Sequence, residues 1–479
     1  MTRRDFSVKV GYAPTRRTVF SREDALRHKT LVERRLREWG FDLVNIEGIN
    51  EDGLLFDRRD VPAVVERFCA AGVDAIFCPH CNFGTEDAVA LLGKELPLPL
   101  LLWGPRDEAP LPDGTRLRDT QCGMLATSKI LQRLGVPFSY IVNCALDDPL
   151  FERGFRNFVA AAAVVREFRR LRIGQVGTRP GPFWTVICNE GELLSRFGIQ
   201  VVPVGLGEML DRARAVLSDE PELVRETVQR FARELDLSAV DSDAVERMAA
   251  LYLALGQWAE EEELSALCIQ CWSALQDAFG IMPCYINGVL TGEGLPVACE
   301  TDIHGAITAA LAQAARLGET PTFFADLTIR HPTNENAELL WHCGVFPLSL
   351  RAEGEEPKMA HHPVLPDARP GTVNCRIRGG EISIVRFDGE GGQYKLFCGH
   401  ARGTDGPATH GTYVWVEVDD WPKWEAHLAR GPYIHHVVGI HGHVAPVLYE
   451  ACRYLPGVQF DSVSPTPAEI EAWLRGADL

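Results

Sequence analysis

The chain has no run of 18 apolar residues, and its first residues pass straight into a β-like segment without the apolar core of a leader peptide. A membrane-spanning helix and a secretory signal are therefore not expected, and a cytoplasmic protein is. A basic tract is missing too. With 48 Lys and Arg against 66 Asp and Glu, the net charge of -18 argues against nucleic acid or an anionic membrane as partner. Cysteine is present at 14 residues but lacks a pairing pattern. Cys69, Cys78, Cys188 and Cys452 lie on apolar runs, so buried reduced thiols are expected rather than a disulfide framework. Low-complexity tracts and long linkers are also absent. What is present is apolar residue in quantity, 46% of 479, enough for two to four cores.

Apolar runs at residues 8–12, 42–46, 75–78 and 98–103 alternate with helical stretches at 21–39, 61–71 and 85–92, the rhythm of a doubly wound parallel sheet. A second α/β unit starts at residues 172–176, continues through a loop at 177–184 and reaches another apolar run at 200–204. Residues 241–279 read as two packed helices, opened by Asp241 and closed at Gly280. After about residue 365 the pattern becomes short β-rich runs (372–377, 381–387, 394–399, 412–418) parted by glycine and proline, the signature of an antiparallel barrel or sandwich. Residues 433–440 read as one more strand and 444–455 as a closing helix. The fold class expected is α/β: two doubly wound parallel-sheet domains, residues 1–168 and 169–318, then an antiparallel β-barrel domain over 319–479.

Two carboxylates stand where apolar runs give way to polar residues: Glu300 in Pro296-Val297-Ala298-Cys299-Glu300-Thr301-Asp302, and Asp326 in Phe323-Phe324-Ala325-Asp326-Leu327. In an α/β sheet that is the edge where ligands gather. Two carboxylates with an imidazole suit Mn²⁺ or Mg²⁺ better than Zn²⁺. Asp302 reads as the cap of the following helix. His342, His435 and His436 are the imidazole candidates. Adjacent strand residues face opposite ways, so one of the 435/436 pair points at a given site. His441 and His443 flank a glycine turn and read as structural. Cys268 and Cys271 have zinc-knuckle spacing, but no second pair accompanies them, and both read as packing on one helix face. Cys78-Pro79-His80-Cys81 is read in the same way. Gly174-Gln175-Val176-Gly177-Thr178-Arg179-Pro180-Gly181 lacks the dinucleotide spacing. Arg16, Arg17 and Arg179 follow strands, where a guanidinium can meet an anionic or polyhydroxy ligand.

The Pro296–Asp302 motif, the Phe324-Ala325-Asp326-Leu327 motif and the late His435-His436-Val437 run together resemble the L-fucose isomerase and L-arabinose isomerase superfamily. The likeness covers nearly the whole chain and is strongest between Cys271 and Cys343. The resemblance implies one Mn²⁺, or another divalent cation such as Mg²⁺ or Co²⁺, held between the second and third domains. It implies Glu300 and Asp326 as ligands that also exchange protons, and His436 or His435 as the late ligand. His342 falls near a further histidine ligand found in the arabinose isomerases alone. Also implied is a homo-oligomer, trimer or hexamer, in which first-domain residues of a neighbouring subunit complete the pocket; Arg16, His80 and Trp103 are the candidates, with Arg179 a further substrate contact. The activity expected is aldose–ketose isomerisation of a small-molecule sugar through an enediolate. An epimerase or aldolase on the same scaffold, or a sugar-binding protein, stays open, as does the sugar itself, including a phosphorylated or sulfonated one.

Overall fold

A computed structural model describes residues 4–365 and 369–478. By its contacts the chain divides into two compact units. One comprises residues 6–166, 446–456 and 467–479; the other is built mainly from residues 167–445 and 457–466. No helix among the described residues is long and apolar enough to cross a membrane.

In the first unit, β1 (Lys9–Tyr12), β2 (Asp42–Asn45), β3 (Ala75–Pro79), β4 (Leu100–Trp103) and β5 (Ser139–Tyr140) form a parallel sheet in the order β2-β1-β3-β4-β5. All residues of β3 and β4 are buried, as continuous apolar runs must be when helices cover both faces. Ser21 starts the helix Arg22–Glu38 by accepting from the Asp24 amide. Gly72, at φ 65°, ends the helix Val61–Ala71 in the left-handed conformation that a residue without Cβ adopts at little cost. The strand order reverses between β1 and β3, which opens a crevice beyond their carboxyl ends.

The second unit holds another parallel sheet: β6 (Arg172–Val176), β7 (Gln200–Val204), β8 (Ala266–Ile269) and β9 (Val297–Ala298), in the order β7-β6-β8-β9. Here the two-helix expectation for residues 241–279 is corrected. One helix, Ser242–Glu261, is followed by β8 and then the short helix Ala274–Phe279. Cys268 therefore lies on a strand, not on a helix face with Cys271. The run Ala266–Ile269 is too short for a helix and is buried on both sides, the case in which apolar periodicity alone cannot separate strand from helix.

The strands that follow are β10 (Thr322–Arg330), β11 (Ala337–His342), β12 (Lys358–His361), β13 (Pro370–Arg376), β14 (Glu381–Glu390), β15 (Gln393–Thr404), β16 (Thr412–Glu417), β17 (His436–His441) and β18 (Val458–Asp461). Six of them close into an antiparallel barrel, β16-β11-β10-β17-β14-β15, with β15 returning to β16 through Arg402↔Glu417 and Thr404↔Trp415. The barrel begins at Thr322. The helix Ile303–Ala315 is buried along all its residues, because it packs against β8 and β9 of the sheet and against β14 and β17 of the barrel. Sheet and barrel thus cluster as one unit. The helices Ala445–Cys452 and Pro467–Leu474, expected as part of a barrel domain, group almost entirely with the first unit.

Candidate active site

Glu300 sits two residues beyond β9, at the carboxyl edge of the second sheet, in a turn that leads into the helix Ile303–Ala315. Both Glu300 (φ 52°) and Thr301 (φ 56°) have left-handed backbone, which costs non-glycine residues of the order of 1–3 kcal/mol each. The turn is held by Thr301, whose amide donates to the Ile269 carbonyl at 3.2 Å and whose hydroxyl donates to the Thr178 carbonyl at 3.0 Å. It is also held by Asp302, which caps the helix through the Gly305 amide at 2.9 Å. Trp272 Nε1 donates to Glu300 Oε1 at 3.2 Å. The other oxygen, Oε2, faces the barrel.

Three barrel side chains meet it there. Asp326 on β10 is directly opposite His436 on β17, so the two lie on one face, and His436 Nε2 is 3.6 Å from Asp326 Oδ1. Glu300 Oε2 is 3.7 Å from His436 Nε2 and 3.7 Å from His342 Nε2, at the end of β11. Glu300 Oε2, Asp326 Oδ1 and His342 Nε2 are buried and without a hydrogen-bond partner. Unpartnered buried donors and acceptors are costly, and several converging on one point have the chemistry of a cation site. Asp326 keeps a fifth of its side chain exposed, which leaves the cluster open on that side.

Behind His436 runs a buried ionic chain. His436 Nδ1 is 3.0 Å from Asp302 Oδ2, which leaves the Nε2 lone pair toward Glu300 and Asp326 when Nδ1 carries the proton. Arg386 bonds both oxygens of Asp302 and donates to Asp388 Oδ2 at 2.7 and 2.9 Å. Asp388 Oδ1 is in turn 3.0 Å from His304 Nδ1. At His342 the geometry differs: Nδ1 accepts the Cys343 amide at 2.9 Å, which puts the proton of a neutral ring on Nε2, toward Glu300.

The titrations follow this crowding. Burial drives the Asp326 carboxyl up to about 6 against the pull of His342 and His436. Burial also acts most strongly on Glu300, but His342 and His436 outweigh it and hold that carboxyl below its ordinary value. His436 is raised: burial opposes its charge, yet Asp302, Asp326 and Glu300 around it prevail. Asp302 lies far below the carboxylate range, the Arg386 guanidinium and His436 overcoming its burial. Without another cation, the imidazoles carry the positive charge that these acids call for.

The chain matches the family described as "Fucose/sulfoquinovose isomerase, N-terminal domain" over residues 11–169. A sulfoquinovose isomerase from Alkalicoccus urumqiensis is 27% identical over 337 residues, 70% of this chain and 73% of that protein. One from Priestia aryabhattai is 26% identical over 388 residues, covering 80% and 84%. The chain is thus similar to the fucose/sulfoquinovose isomerases, over residues 11–169 by the family model and over most of its length by these relatives. A periplasmic solute-binding protein from Actinobacillus succinogenes with bound D-allose, 13% identical over 65% of this chain and 92% of that one, has a TM-score of only 0.15 and bears on nothing here.

The geometry brings together Glu300, Asp326, His342 and His436. His435 precedes β17, is exposed, and stacks edge-on against His436 with ring centres 4.3 Å apart; a ligand atom of His435 still comes within 4.8 Å of those of Asp326 and His436. Arg179 donates to the Pro180 and Gly181 carbonyls and forms no ion pair among the described residues. Its loop meets the site at Thr178 and again at Phe183, whose ring lies 5.4 Å from Trp272 and about 6 Å from both late histidines.

Arg16, His80 and Trp103 belong to the first unit. Arg16 is buried in an ion pair with Asp52 at 2.7 Å and lies over the Phe56 ring. His80 is fully buried, Nε2 bonding Thr127 at 2.9 Å, and burial lowers its pKa to about 4. Trp103 has no exposed surface, packs 4.3 Å from Phe151 and donates to Cys144, so within this unit its ring is core. His441 donates to the Arg378 carbonyl, in keeping with a structural role. Sequence reading missed Asp302 as a partner of His436, and it missed Arg386, Asp388 and His304 altogether. The available signal was Arg386 itself, a charge inside the apolar run Ile384-Val385-Arg386-Phe387.

Proposed function

We propose that this sugar isomerase interconverts a sulfonated aldohexose and its ketose with the help of a divalent cation, Mn²⁺ foremost. The observation that carries the reading is that His436 Nε2 lies 3.7 Å from Glu300 Oε2 and 3.6 Å from Asp326 Oδ1, both buried oxygens without hydrogen-bond partners. These three would hold the cation, while His342, whose Nδ1 accepts the Cys343 amide, would turn its Nε2 proton toward Glu300. When bound, the cation would supply Lewis-acid stabilisation of the charge that develops on the first two sugar oxygens.

The remaining work falls to the chain. Isomerisation moves a proton between C1 and C2. Asp326, with a fifth of its side chain open to solvent, is suited to take and return that proton. Glu300, clamped through Oε1 by Trp272, presents Oε2 in a fixed direction as the second carboxylate. Asp302 keeps His436 in one tautomer and orientation. Phe183 and Trp272 give the site an aromatic wall that sheds water on one side. A sulfonate on the sugar is supported by the names of the relatives and by the guanidinium of Arg179, which bonds only backbone carbonyls among the described residues, beside Thr178, which is bonded to Thr301. The implied oligomer, trimer or hexamer, belongs to the same reading and is measured by analytical ultracentrifugation.

The deciding experiment is proton NMR of sulfoquinovose and non-sulfonated aldoses incubated in D₂O with the protein and Mn²⁺. The expected product is the ketose with deuterium at the transferred position, and Glu300→Gln and Asp326→Asn should each cut turnover by about 10²–10⁴-fold. Chain fragments would point instead to an aldolase, and no turnover to a binding protein. Wild-type rates in both variants would remove the carboxylates from the reaction.

A further inference from the structure

Behind Glu300, on the side away from the imidazoles, lies a set of soft donors that isomerisation does not use. Cys271 follows β8 and Cys299 follows β9. These strands are paired neighbours, Cys268 opposite Ala298, so the two thiols leave adjacent strand ends and meet. The sulfurs of Cys271 and Cys299 and a carboxylate oxygen of Glu300 all lie within 4.8 Å of one another. The Cys271 thiol is 3.6 Å from Glu300 Oε1. Asn287 Nδ2 approaches the Cys299 sulfur at 3.6 Å. Cys284 and Cys343, also buried, lie within electrostatic reach of this pair. All four cysteines are free and buried.

Thiolates select d¹⁰ cations such as Zn²⁺ and Cd²⁺, whereas carboxylate oxygens and imidazole suffice for Mn²⁺ and Mg²⁺. Glu300 stands between the two donor sets, Oε1 toward the thiol and Oε2 toward His342 and His436. We propose that Cys271, Cys299 and Glu300 form a second cation site, selective for thiophilic divalent metal ions, whose occupancy withdraws Glu300 from the isomerisation centre. Binding replaces two S–H bonds by two metal–sulfur bonds and releases two protons to solvent; no electron is transferred. The inhibitory half rests on Glu300 acting in catalysis as proposed above, and the binding half does not.

The test is a Cd²⁺ titration of chelator-stripped, fully reduced protein carrying Cys69→Ser and Cys122→Ser, which removes the two exposed thiols. An ultraviolet thiolate-to-Cd²⁺ charge-transfer band should grow and saturate at one ion per chain. Cys271→Ser/Cys299→Ser, or the Ala pair should the Ser pair fail to fold by circular dichroism, should weaken binding by about tenfold or more. Asp326→Asn, which changes only the oxygen-rich cluster, should keep the band. At saturating Cd²⁺, turnover should fall by about tenfold or more, with excess Mn²⁺ unable to restore it. No band, a band of equal strength without Cys271 and Cys299, or a band lost with Asp326 would each overturn the site. A saturated band with undiminished turnover would overturn the sharing of Glu300. A protein with no isomerase activity would defeat the functional reading, while the band would still decide the cation site.

Discussion

The carboxylate of Asp302 accepts from the Gly305 amide with one oxygen and meets His436 Nδ1 with the other, so its charge serves both a helix end and an imidazole. Asp302→Asn should lower Mn²⁺ affinity by about 10–100-fold, the usual effect of losing a carboxylate behind a ligating histidine, as read by isothermal titration calorimetry. An unchanged affinity would reduce Asp302 to a helix cap. Glu338 is a different case: buried on β11 with Oε2 unpartnered, its carboxyl is pushed by burial up to about 7. A raised carboxyl keeps its proton more tightly in the folded chain, so its contribution to stability is full below the unfolded value near 4.5 and is lost as pH rises through about 7. Glu338→Gln should therefore stabilise the protein at pH 8 by roughly 1 kcal/mol, after discounting for partial access to water, and have little effect at pH 4. Urea unfolding at the two pH values measures the difference. At this scale Glu300 and Asp326 were readable because each ends an apolar run with an acid. The Asp302–Arg386–Asp388 chain was not, since its members are joined only when barrel and helix meet.

Strands and turns impose their own constraints. Gly371, in β13, has φ 127°, and a Cβ placed there would lie 2.1 Å from the Met282 carbonyl oxygen, a backbone atom that cannot swing aside. Gly371→Ala should cost about 2 kcal/mol or more, combining backbone strain with overpacking, which a lowered urea midpoint with unchanged slope would record. The parallel sheets were legible at this scale because β3 and β4 are bare apolar runs between amphipathic helices. β8 was not, since Ala266–Ile269 adjoins a long helix and carries no alternation. β10 opens with four buried residues, Thr322 to Ala325, and by composition alone resembles a sheet strand until Asp326. The paired register of β10 and β17, which sets Asp326 against His436, is a tertiary fact that neither strand's composition encodes.

For the whole molecule, two compact units with separate cores need not unfold together. Glu300, Asp326, His342 and His436 all belong to the unit built around residues 167–445. Mn²⁺ at 100 times its dissociation constant should raise the stability of that unit by about 2.7 kcal/mol and leave any separate transition of the other unit where it was. Calorimetric scans with Mn²⁺ and with chelator would show one transition moving. A shift of both transitions by equal amounts would mean that the units melt as one. The grouping of residues 446–456 and 467–479 with residues 6–166 also orders events at the ribosome. The sheet of the first unit is translated early, yet the segments that complete its packing are made only after the barrel strands β10–β17. Nascent first-unit chains must wait with part of their apolar surface uncovered, and chaperone binding during synthesis should concentrate in that interval.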